Sequence, residues 1–97
     1  MNHQRLLASS QHIVMRNLTK NVVAAAIEWS SSKSELILTY YLASAPTEED
    51  SEECEISFAE LIAVFPQILK GETKLVHLGD GSAPIGKDET LVFDRRA

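Results

Sequence analysis

Residues 21–42 read NVVAAAIEWSSSKSELILTYYL. Two runs of aliphatic, β-branched and aromatic residues are separated by a serine-rich polar segment, a pattern that is typical of a β-hairpin. We therefore predict strands over residues 22–29 and 35–42. The central alanines of the first run are compatible with a helix, but the valine, isoleucine and tryptophan around them favour a strand.

Two amphipathic segments flank this hairpin. Within residues 2–16, apolar residues recur every seven positions, which predicts a first helix. After the hairpin, apolar residues recur at spacings of three and four up to Phe65, which predicts a second helix that begins near Pro46 or Thr47. Pro66 ends this helix at about Phe65, because proline disfavours helical geometry in the residue before it.

The rest of the chain supplies two more strands. TKLVHL at residues 73–78 predicts a third strand and TLVFD at residues 90–94 a fourth, with a loop over residues 79–89. Strands joined by short links pair antiparallel, and each helix needs a surface for its apolar stripe. The sequence thus predicts a single α+β domain over residues 1–97. We expect two layers in the order α-β-β-α-β-β: a four-stranded antiparallel sheet with two helices on one face.

Charge is unevenly distributed along the chain. The 97 residues carry a formal net charge of −5, and residues 47–60 hold seven of the fourteen acids and no base. This acidity argues against direct nucleic-acid binding, which depends on clustered Lys and Arg. The apolar runs are too short for a signal peptide or a membrane span, so we expect a cytoplasmic protein with no membrane partner.

We expect no catalytic residues, no metal site and no cofactor. The single cysteine, Cys54, excludes an internal disulfide, and its place on an apolar stripe favours a small buried side chain. His3, His12 and His77 show no spacing typical of metal ligands or catalytic groups. The glycine and lysine spacing of residues 81–87 resembles that of a phosphate-binding loop, but the serine or threonine that must follow the lysine is missing.

The acids at the start of the second helix exceed what helix stability requires. Negative charge in the first turn stabilises a helix by about 0.3–1 kcal/mol, and one or two carboxylates supply most of that. Further like charges four residues apart, such as Glu48 and Glu52, cost roughly 0.2–0.5 kcal/mol per pair. The excess fits either solubility or a basic partner.

Ile56 projects from the polar side of this helix, among the carboxylates. Such a residue is either an isolated exposed side chain, which is common, or an apolar anchor inside a charged ring. For the second interpretation, the candidate partner-binding residues are Glu48, Glu49, Asp50, Glu52, Glu53, Glu55, Ile56 and Glu60.

The second strand offers another candidate surface. Side chains alternate between the two faces of a sheet, so Ile37, Thr39 and Tyr41 point away from the face that the helices cover. We expect these three residues to lie open. A non-enzymatic adaptor or assembly subunit would interact through this open sheet face, which is the alternative function.

The chain resembles a family of small bacterial immunity proteins encoded beside polymorphic and contact-dependent growth-inhibition toxins. The resemblance covers the N-terminal helix and four further segments: AAAIEW (24–29), ELILTYYLASAPTEEDSEE (35–53), AELIAVFP (59–66) and LVFDRR (91–96). It implies a non-enzymatic antitoxin that binds the C-terminal domain of its cognate toxin, commonly a basic nuclease. The carboxylates of the second helix would then stand in for the phosphates of nucleic acid.

Overall fold

The computed structural model describes residues 2–78 and 88–95. Its elements are α1 His3–Arg16, β1 Val22–Ser30, β2 Glu35–Leu42, α2 Glu48–Val64, β3 Lys70–His77 and β4 Thr90–Asp94. The predicted element order is confirmed, although β3 begins three residues before its predicted start. Of the predicted loop, residues 79–87 lie outside the described residues. This range includes residues 81–87, the segment whose sequence resembles a phosphate-binding loop.

The β1–β2 hairpin forms the centre of the sheet, as its sequence predicts. The two strands pair antiparallel from Ser30 opposite Glu35 to Val22 opposite Leu42, with an irregularity between Val22 and Ala24. Ser34 lies at the tight turn between the strands and has a left-handed backbone, with φ of 51°. The hairpin is therefore the part of the sheet that short-range sequence signals specify.

The sheet is mixed, so the prediction of a fully antiparallel sheet is wrong. The strand order is β3-β2-β1-β4, and β4 pairs antiparallel with β1. By contrast, β3 runs parallel to β2, from Glu35 opposite Lys70 to Leu42 opposite His77. The reason is the connection between them, because α2 carries the chain back to the starting end of β2 before β3 begins. A helical crossover is the usual connection between parallel strands.

Both helices pack on one face of the sheet, as predicted. The apolar core lies between the helices and the sheet, where alternate residues of β2 meet the apolar stripes of α1 and α2. Its buried members include Leu6, Ile13 and Val14 of α1, Leu36, Leu38, Tyr40 and Leu42 of β2, and Cys54, Leu61 and Phe65 of α2. The hydroxyl of Tyr40 also lies 2.8 Å from Ser57 Oγ, which links β2 to α2.

The opposite face of β2 does not lie open, so that expectation is wrong. Thr39 and Tyr41 are buried and Ile37 is half-buried. Since β2 is an inner strand, both of its neighbours shield these side chains; Tyr41 packs near Val76 of β3 and donates a hydrogen bond to Glu89. The adaptor alternative therefore loses the exposed surface on which it depended.

Candidate functional site

The start of α2 is fixed by a capping box. Thr47 is the N-cap, and its hydroxyl accepts a hydrogen bond from the backbone N–H of Asp50 at 3.1 Å. In return, the Asp50 carboxylate accepts a hydrogen bond from the backbone N–H of Thr47 at 2.9 Å. These bonds satisfy groups that a helix start leaves unpaired, and they fix the direction of the first turn.

Asp50 is the buried member of the acidic run, with 1% of its surface exposed. Its carboxylate also accepts hydrogen bonds from Thr19 Oγ1 at 2.5 Å and from Asn21 Nδ2 at 2.8 Å. Burial raises the pKa of Asp50, but the hydrogen bonds from Thr19, Asn21 and Thr47 outweigh burial and lower the pKa from its ordinary value of 3.8. Asp50 thus anchors α2 within the fold, and we remove it from the proposed contact residues.

Asn21 holds the connection that leads into α2. Its Oδ1 accepts hydrogen bonds from the backbone N–H and the hydroxyl of Ser44, at 2.8 and 2.7 Å. Its Nδ2 donates to Asp50 and, at 3.2 Å, to the Ser44 carbonyl. Sequence reasoning missed Asn21 and Thr19, because a capping pattern identifies Asp50 but not its partners from a distant segment.

The outer side of α2 carries a concentrated negative surface, which we call the acidic face. It comprises Glu48, Glu49, Glu52, Glu53 and Ile56, which lie within about 140° of the helix circumference. Glu48, Glu49 and Glu52 are exposed, and Glu53 is half-buried. Ile56 is 44% exposed, so its predicted outward direction is confirmed. The structure thus brings five of the eight candidate residues together.

Glu55 and Glu60, the remaining candidates, make contacts within the fold. Glu55 accepts a hydrogen bond from the Thr73 hydroxyl of β3. Glu60 forms an ion pair with Arg16 of α1 and accepts a hydrogen bond from Asn17 Nδ2 at 3.2 Å. These two carboxylates flank the acidic face and tie α2 to its neighbours, and the charge of Glu60 is already matched by Arg16.

A groove of about 540 Å³ separates α1 from α2 beside the acidic face. Its walls include Ala8, Ser9 and His12 from α1 and Ala63 and Val64 from α2. Several of these side chains are small, so the two helices do not fill the space between them. The groove is therefore a concave surface next to the carboxylates.

The described residues, 2–78 and 88–95, contain no group of three or more His, Cys, Asp or Glu side chains that could hold a metal ion. Cys54 is buried on the inner side of α2. Burial, together with the negative charge of Glu55, raises the pKa of Cys54 to about 12, so its thiol stays protonated near neutral pH. In the same part of the chain, no helix is long and apolar enough to cross a membrane.

Comparison with known proteins gives one family. The model of the MafI2 immunity protein family matches residues 3–97. This range includes both helices, all four described strands and the whole acidic face. No curated protein matches the chain.

Proposed function

This chain belongs to the MafI2 immunity protein family, and from that membership we propose how it neutralises its toxin. The protein is a small bacterial immunity protein of a polymorphic toxin system, and a cognate toxin is its partner. We propose that it binds the C-terminal domain of that toxin in the cytoplasm. We further propose that this domain is a basic nuclease, deployed by contact-dependent growth inhibition, and that the acidic face occludes its nucleic-acid site.

The acidic face is the observation that supports this proposal most directly. Residues 47–60 contain no base, so no cation within that segment neutralises Glu48, Glu49 and Glu52. Helix capping explains Asp50 but not these exposed carboxylates, which repel one another at spacings of three and four residues. A basic partner gives this clustering of negative charge a physical reason, because association would relieve the repulsion between the carboxylates.

Rigid placement of the carboxylates also favours this mechanism. The contacts of Asp50 with Thr19, Asn21 and Thr47 hold the first turn of α2 against the rest of the fold. A surface that is ordered before binding loses less conformational entropy when it meets its partner. The carboxylates can then occupy positions that phosphates of a nucleic acid take in a nuclease site.

The same charges govern how quickly the two proteins meet. Complementary charge accelerates association, and exposed charges are screened over about 8 Å at physiological ionic strength. Ile56, within the acidic face, would supply a short-range apolar contact, which charge alone cannot provide. Occupying the site is sufficient for inhibition, so this mechanism requires no catalysis by the immunity protein.

Nuclease assays with the purified toxin domain test the proposal. The domain encoded beside this gene is mixed with increasing amounts of the immunity protein, and cleavage of RNA and DNA is followed. We expect cleavage of one of these substrates, and complete inhibition at an equimolar ratio. A toxin domain that cleaves neither nucleic acid, or a stable complex that still cleaves, would contradict the proposed mechanism.

A further inference from the structure

The groove between α1 and α2 points to a second element of the toxin interface. We propose that it receives an apolar side chain of the toxin domain, presented by a segment whose basic residues face α2. This inference rests on the proposed function. It adds a second apolar contact, beside the carboxylates, to the one that Ile56 would make among them.

The dimensions of the groove suit a side chain. At about 540 Å³ it falls within the roughly 300–1,000 Å³ of pockets that bind small molecules. Ala8 and Ser9 on one wall and Ala63 on the other have small side chains, so they leave part of the space between the helices unfilled. An aliphatic or aromatic side chain can therefore enter without displacing the helices.

One exposed apolar side chain lines this groove, and two more lie on the helix faces that form it. Val64 lines it and is 48% exposed. Met15, 59% exposed, lies on the side of α1 that carries Ala8, seven residues earlier, and Ile56 lies likewise seven residues before Ala63 on α2. Single exposed apolar residues are ordinary, whereas several of them near one concave surface favour an interaction site.

The charges beside the groove indicate the chemistry of its occupant. Glu60 lines the groove, and Glu53 lies on the same side of α2, seven residues earlier. Arg16 also lines the groove and matches the charge of Glu60, so the unmatched negative charge lies on the acidic face beyond Glu60, where residues 47–60 contain no base. A segment that places its apolar side chain in the groove therefore gains from basic neighbours directed at α2. An apolar centre within a charged rim is the common arrangement of strong protein interfaces.

A pair of tryptophan substitutions on α1 tests this inference. Ala8→Trp fills the groove, whereas Gln11→Trp places the same side chain on an exposed part of α1 that does not line it. Binding of each variant to the purified toxin domain is measured by calorimetry. We expect Ala8→Trp to weaken binding by roughly tenfold or more and Gln11→Trp to change it by less than about threefold. Wild-type affinity for Ala8→Trp would overturn the inference.

A second pair of variants covers the case in which Ala8→Trp does not fold. Val64→Ser removes an apolar wall of the groove, and Leu69→Ser removes an exposed leucine that does not line it. Only Val64→Ser should weaken toxin binding; equal effects would overturn the inference.

Loss of self-association, with toxin binding unchanged, would assign the groove to a second copy and overturn it too. If the combined substitutions Glu49→Lys, Glu52→Lys and Glu53→Lys weaken toxin binding but the groove variants do not, only this inference fails and the proposed function stands.

Discussion

The hydroxyl of Thr19 donates a hydrogen bond to the Asp50 carboxylate at 2.5 Å, joining the segment between α1 and β1 to the first turn of α2. Both side chains are buried, and Thr19 precedes Asp50 by 31 residues. This contact makes Asp50 different from its acidic neighbours, because it stabilises the position of the helix while they remain at the surface. One acidic segment therefore combines a structural carboxylate with the proposed binding carboxylates.

Replacing Asp50 should destabilise the fold. Asp50→Ala removes the acceptor for Thr19, Asn21 and the Thr47 N–H, and it leaves the Thr19 hydroxyl buried without this partner. We expect the free energy of unfolding to fall by roughly 2–4 kcal/mol, measured by urea denaturation. Glu52→Ala, at an exposed position of the same helix, should change it by less than about 0.5 kcal/mol. Equal losses in the two variants would contradict the assigned role of Asp50.

The contribution of Asp50 should also depend on pH. Its pKa is lower in the folded protein than the ordinary value of 3.8, so its stabilising effect is fully present above that value. The effect is lost as pH falls through the folded pKa, because protonation removes the charge that accepts these bonds. We expect the stability difference between the protein and Asp50→Asn to shrink as pH falls from about 5 to about 2. A difference that stays constant over this range would contradict the assignment.

Gly71 should tolerate no side chain. A Cβ at this position would meet the backbone carbonyl of Leu36 on β2 and would lie 2.7 Å from Phe58 Cζ. The phenyl ring can turn aside, but the carbonyl belongs to the neighbouring strand and cannot move without disturbing the β2–β3 pairing. We expect Gly71→Ala to lower the melting temperature and to cost about 2 kcal/mol or more. Glu72→Ala, at the next and exposed position, is the control and should melt close to the wild type.

Cys54 should resist alkylation in the folded protein. Its thiol is buried, and burial together with the charge of Glu55 raises its pKa to about 12, so little reactive thiolate forms at pH 8. We expect iodoacetamide to add one mass increment in denaturant and almost none under native conditions. Rapid modification of the native protein would contradict the position of Cys54 in the core.

The sequence predicts the elements better than their arrangement. Periodicity is a local signal, so the apolar spacing within residues 2–16 and the alternation along β2 were sufficient to predict α1 and the hairpin. The direction of β3 depends on the path of the chain through α2, and the rule for short links does not apply there. Burial of Tyr41 depends on neighbouring strands and on Glu89, which lies 48 residues away.

The candidate site shows the same division. Helical geometry correctly predicts that Ile56 points outward, because that direction follows from its spacing to the apolar stripe. It gives no indication that Asp50 turns inward to Thr19 and Asn21, or that Glu60 pairs with Arg16, 44 residues earlier. Tertiary contacts of this kind give different roles to carboxylates that look equivalent in the sequence. They leave the acidic face as the part that a partner can reach.

Association kinetics with the toxin domain test whether the acidic face recognises the toxin. The triple variant Glu49→Lys, Glu52→Lys and Glu53→Lys reverses the acidic face, while Glu28→Lys, Glu35→Lys and Glu72→Lys make the same change in net charge on the strands. Circular dichroism is used to check that both variants fold. Rates are measured by stopped-flow mixing at low and at high salt.

The acidic-face variant should associate at least about tenfold more slowly than the wild type at low salt, and the difference should shrink at high salt as charges are screened. Its Kd should rise accordingly, whereas the strand variant should stay within about threefold of the wild type. An unchanged Kd for the acidic-face variant, or an equal loss in the strand variant, would contradict recognition through the acidic face.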